Sequence, residues 1–89
     1  MKYVIFQGNG FVHPVLFADH TTHAQVKIEG AYPIAAGFVR FDSCNLPHCY
    51  GKSDSLHLES RGEIDDNIIR RWQINSNMTT FMKELNEPF

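Results

Sequence analysis

The chain lacks long apolar runs, has only two cysteines and carries no large excess of either charge. No stretch approaches the ~18 consecutive apolar residues of a membrane span, so no membrane partner is expected. Met1 and Lys2 lead into a short mixed run that Gln7, Gly8 and Asn9 interrupt, which does not resemble the apolar core of a secretion signal. A cytoplasmic location is therefore expected, where Cys44 and Cys49 stay reduced. Eight Lys and Arg stand against ten Asp and Glu, a net charge of −2. That balance supplies no global positive field for nucleic acid. Internal repeats, low-complexity tracts and long linkers are also missing.

The 89 residues fit a single domain spanning 1–89. The hydrophobic share of 43 % is that of a globular chain, and 12 % aromatics, seven of them Phe, supply bulk for a core. A domain of this size buries only about 60 % of its surface, so pairing with a second copy would extend the core.

Lys2 to Phe6 reads as a strand, and both of its faces are apolar, which places it inside a sheet. Gly8-Asn9-Gly10 is a turn signal, since Gly and Asn tolerate positive φ. Phe11 to Phe17 returns as a second strand; Pro14 cannot donate to a ladder, so that strand belongs at an edge or carries a bulge. Asp19 to Val26 is expected to form a short helix. Ile34 to Phe41 is a third strand, whose Ala35-Ala36-Gly37 suggests close approach by another element. Cys49–Tyr50 and Ser55–Glu59 then form a hairpin-like return, with Leu56 and Leu58 on its dry face.

A helix is expected from Arg61 to about Ile74, opened by a Ser60/Glu63 capping box. Ile64, Ile68 and Trp72 recur every four residues and define its buried stripe. A second, short helix from Asn77 to Leu85 would start at Ser76 and carry Met78, Phe81, Met82 and Leu85 at i, i+3, i+4, i+7. Strands precede helices, so the expected fold is α+β: a small antiparallel sheet of about four strands, with one long and one short C-terminal helix on one face.

Few constellations carry chemistry. His13, His20, His23, His48, His57, Cys44 and Cys49 match no zinc-binding spacing, and no metal or cofactor is expected. Cys49 lacks a flanking nucleophile signature; as a nucleophile it would need a base such as His57. Gly51-Lys52-Ser53 ends like a phosphate loop, but Leu46 stands where that loop requires Gly. Asp54, Glu59, Glu63, Asp65 and Asp66 lack calcium-loop spacing, and the last three suit the first turn of the helix. Arg61, Arg70 and Arg71 beside Trp72 are the one basic and aromatic concentration, a minor indication of nucleic-acid binding. Ser53, Ser55, His57 and Arg61 form a donor-rich run suited to a small ligand or an enzyme site. Whether the chain is an enzyme stays open at this level. The leading expectation is an accessory or interaction module without catalysis. It would associate with itself or another protein, with Met78, Phe81, Met82 and Leu85 as the interface.

Overall fold

The computed structural model describes residues 1–86, and along the C-terminal helix it describes side chains as far as Asn75. Strands β1 (Lys2–Gly8) and β2 (Phe11–Phe17) form a hairpin closed by Asn9 and Gly10, with Gly10 at φ 82°. β3 (Ala31–Phe41) pairs with the other side of β1, and β4 (Pro47–Tyr50) pairs with β3. The sheet is antiparallel throughout, in the order β2-β1-β3-β4. A two-stranded ladder, β5 (Lys52–Ser53) with β6 (Leu58–Glu59), follows β4. One helix, α1 (Glu63–Asn86), ends the described chain.

β1 lies inside the sheet because it has no polar face to offer solvent. Tyr3 and Ile5 pack on one side with Ala35, Val39 and Ile69 of the helix. Val4 and Phe6 pack on the other with Ala36. That second side is covered by Val26 and Ile28 of the β2–β3 connection and by Leu56 and Leu58. Pro14 is accommodated because β2 is an edge strand; it stands opposite Ile5 with the β1 ladder in register. β3 carries a bulge, since Ile5 pairs with Ala35 while Phe6 pairs with Pro33. Gly37 meets the close approach expected of it: a Cβ there would stand 2.6 Å from the Tyr50 carbonyl oxygen.

Several sequence expectations need correction. The segment around residue 22 makes only a single 3₁₀ turn, His23–Gln25, held by Thr22 N–H donating to Gln25 Oε1 at 2.8 Å. Its apolar residues are too sparse for a full amphipathic helix. Residues 54–57 form a turn rather than a strand, with His57 at φ 56°, so β6 keeps only Leu58 and Glu59. The expected second helix is not separate. α1 runs unbroken through residues 75–77, which contain neither Gly nor Pro to stop it.

The helix is also turned about its axis relative to the Ile64–Ile68–Trp72 stripe. Asp65 and Ile69 are fully buried, while Ile64 is 56 % and Trp72 39 % exposed. Ile68 keeps a partly buried place against the core. The cause is polar: the Asp65 carboxylate is drawn inward by donors from β1 and from the chain preceding the helix. Trp72 is exposed because α1 crosses from β4, where Asp66 accepts from Cys49 N–H, to the edge strand β2, where Trp72 meets the His13 ring at 5.7 Å. Among the described residues no strand lies beyond β2 to cover it. Among the described residues no helix is long and apolar enough to cross a membrane.

Candidate functional site

Three features carry chemistry: a buried polar clamp beneath the helix, an aromatic cleft on the opposite face of the sheet, and the outer side of the helix.

The clamp begins with Asp65 in the first turn of α1. Its Oδ2 accepts the Tyr3 hydroxyl at 2.5 Å and the Arg61 backbone N–H at 2.8 Å, and its Oδ1 accepts Arg61 Nε at 2.8 Å. The carboxylate is completely buried, so these donors and the positive helix end replace its lost water. The N-terminus is therefore capped differently from a Ser60/Glu63 box. Ser60 Oγ accepts from Gly62 N–H at 3.0 Å, while the carboxylate reaching back is that of Asp65. Burial, and then the hydrogen bond to Asp65, push the Tyr3 hydroxyl far above its ordinary value, so it stays a donor.

Cys49 lies beside this clamp. Burial, followed by the neighbouring Asp66, pushes its thiol well above the ordinary range. A neutral, half-buried thiol is a poor nucleophile, so the setting of Cys49 does not favour covalent catalysis. A second polar knot lies on the surface. The Asp42 carboxylate accepts from His48 Nε2 at 2.8 Å and from the N–H groups of Cys44 and Leu46, at 2.8 and 3.0 Å. The hydrogen bond from His48, helped by the Leu46 N–H, lowers Asp42 to about 2.

The donor-rich run is distributed rather than gathered. Ser53 is 2 % exposed, and its Oγ accepts from Leu56 N–H at 3.2 Å to brace the 54–57 turn. Ser53 and His57 border one shallow hollow of about 310 Å³. Ser55 borders a different, larger cleft. Arg61 is directed to Asp65, and its Nη2 is buried without a hydrogen-bond partner. Of the basic set, Arg70 and Arg71 are exposed and lie seven and eight residues beyond the helix start at Glu63, whereas Arg61 precedes the helix. His20 is exposed, whereas His23 is buried and donates from Nε2 to the Gly37 carbonyl at 2.9 Å. Among the described residues no three His, Cys, Asp or Glu side chains converge to hold a metal ion.

The larger cleft, about 510 Å³, lies on the sheet face away from the helix. Lys2, Phe38 and Tyr50 line it and belong to one row across all four strands, in which Phe17, Lys2, Phe38 and Tyr50 are successive register partners. Phe38 and Tyr50 stack with centroids 5.8 Å apart, and His23 stands edge-on to both Phe17 and Phe38. Periodicity did not reveal this row, because its members lie on four separate strands and meet only through register. Met78, Phe81, Met82 and Leu85, the expected interface, lie outside the residues whose side chains are described.

No protein-family model matches the chain, and no curated protein and no solved structure matches it.

Proposed function

We propose that this protein is a small interaction module that acts by self-association rather than by catalysis. The observation that carries this reading is the helix running past its own sheet. α1 is 24 residues long, about 36 Å, whereas the three strand spacings it crosses from β4 to β2 amount to about 14 Å. It reaches the edge strand at Trp72 and continues to Asn86. A helical stretch of that remaining length is marginal in water on its own, so packing against a partner would stabilise it.

The helix also carries apolar residues away from its own core. Ile64 and Ile74 are each 56 % exposed, whereas Ile69 faces inward. In the sequence the spacing of Ile74 continues through Met78, Phe81, Met82 and Leu85, at i+4, i+7, i+8 and i+11. A second copy offering the same stripe fits this pattern, since helices pair by burying such faces against each other. Methionine suits the joint, because its unbranched side chain adapts to irregular surfaces.

Light scattering coupled to size exclusion tests the reading on the whole chain. The 10.2 kDa protein should elute with twice its monomer mass. Ile74→Glu should return it to the monomer mass and leave its circular dichroism unchanged, because that side chain takes no part in the sheet core. A wild-type chain that stays monomeric near millimolar concentration refutes self-association. A binding partner of another sequence would then be sought on the same stripe.

A further inference from the structure

We propose that the cleft over the Lys2–Phe38–Tyr50 row binds a small ligand that joins a planar ring to an anionic group, a carboxylate or a phosphate. This site is independent of the helix stripe and lies on the other face of the sheet.

The planar ring is suggested by the wall. Tyr50 stacks on Phe38 at an interplanar angle of 26°, and Tyr50 remains 51 % exposed, so one aromatic face is supported from behind and open in front. Aromatic rings prefer such offset stacking, and the support removes most of the rotamer freedom that binding would otherwise have to freeze. The backbone beside the wall is kept slim. Gly51 has φ 75°, and a Cβ there would come within 3.0 Å of the Phe38 ring. Any other residue would crowd the wall and strain the chain.

The anion is suggested by the charges. The lysines with described side chains are Lys2, Lys27 and Lys52, and two of them border this cleft in a chain of net charge −2. Lys2 is partly buried, and its ammonium is anchored by donating to the Thr21 carbonyl at 2.9 Å. Among the described residues no carboxylate pairs with it. The ammonium is therefore positioned and, among the described residues, without a paired carboxylate, a condition in which a ligand anion gains. Lys52 meets only Asp54, at 3.8 Å, with both side chains highly exposed, and such a pair competes weakly with a ligand. His23 donates Nε2–H to Gly37, which holds its ring as a fixed apolar edge against Phe38. The cleft's volume of about 510 Å³ lies within the range of about 300–1,000 Å³ common for small-molecule sites.

The test is amide chemical-shift mapping on the full chain with two probes, 2-naphthoate and adenosine 5′-monophosphate. Their uncharged counterparts, 2-naphthamide and adenosine, serve as controls. At least one charged probe should give saturable shifts centred on Thr22, Tyr50, Gly51 and Lys52, and its uncharged counterpart should bind several-fold more weakly. Which probe binds tells carboxylate from phosphate. Lys2→Met keeps the side-chain stem and should weaken binding about fivefold. Tyr50→Leu, at an exposed position, should weaken it about tenfold. Raising salt should weaken the charged probe alone. The proposal is overturned if neither charged probe gives saturable shifts at millimolar concentration, if the shifts centre elsewhere, or if folded Lys2→Met and Tyr50→Leu proteins bind as the wild type does.

Discussion

Removing the Tyr3 hydroxyl measures how much the clamp under the helix is worth. Tyr3→Phe leaves the ring in the core and deletes one donor to the buried Asp65 carboxylate, which keeps its two bonds from Arg61. A hydrogen bond to a charged group contributes about 1.5–3 kcal/mol, so a loss of about 2 kcal/mol is expected. With a urea slope of about 1 kcal/mol/M, the midpoint should fall by about 2 M. The melting temperature should fall by roughly 8–16 °C for a domain of this size. Asp65→Asn keeps the shape but leaves the Arg61 guanidinium without its charge partner, and should cost about 3–5 kcal/mol. The double variant should cost less than the sum, with a coupling of about 0.5–3 kcal/mol, because both changes act on one bond. Alkaline unfolding gives an independent check. The folded hydroxyl titrates well above the ordinary 10.0, so its contribution is complete below pH 10 and falls as pH rises beyond it. Wild-type stability should therefore decline above pH 10 more steeply than that of Tyr3→Phe. The half-buried thiol of Cys49, ordinarily at 9.0 and also raised, adds a loss that begins lower and is common to both proteins. A midpoint shift under about 0.5 M urea, or equal alkaline slopes, would refute the reasoning.

Two further outcomes follow from local geometry. Asp42 is lowered from 3.8 to about 2 by His48 and the loop N–H groups, so its contribution is present above pH 3.8 and is lost as pH falls through about 2. A carboxyl-detected NMR titration should place its midpoint near 2, and a midpoint near 3.8 would show that the 42–47 loop is not held as described. Gly37→Ala would set a methyl 2.6 Å from the Tyr50 carbonyl and 3.3 Å from Ser60 Cβ. It should cost about 1–3 kcal/mol in urea unfolding, and an unchanged midpoint would mean that β4 yields freely.

Much of the sheet was legible because backbone chemistry speaks locally. Apolar residues on both faces of Lys2–Phe6 put β1 inside, the missing N–H of Pro14 narrowed β2 to an edge or a bulge, of which the edge is found, and the Ala35-Ala36-Gly37 run marked a close approach. The 54–57 turn was hidden, since Leu56 and Leu58 alternate as a strand would and no glycine stands beside His57 to signal its positive φ. The continuity of α1 was hidden for a related reason: Asn75, Ser76 and Asn77 are poor helix formers, but none is a breaker. Of the candidate site residues, the donors that brace a turn or a cap, Ser53 and Arg61, looked the same in sequence as donors free for a ligand.

The phase of the helix shows why apolar spacing alone misleads here. Ile64, Ile68 and Trp72 make a sound stripe, and burying it would satisfy hydrophobicity without enclosing a charge. The fold instead turns Asp65 and Ile69 inward, about 100° and about 140° around the helix from Ile64. An apolar stripe tolerates small rotations at little cost, because one greasy contact replaces another. A buried carboxylate does not: outside the reach of the Tyr3 hydroxyl and the Arg61 nitrogens it would stand desolvated and unpaired. The clamp therefore restricts the helix to one rotation about its axis. In that rotation Ile64 and Ile74 face away from the core. The polar contact that holds the helix on the sheet thus also decides which of its apolar side chains stay exposed.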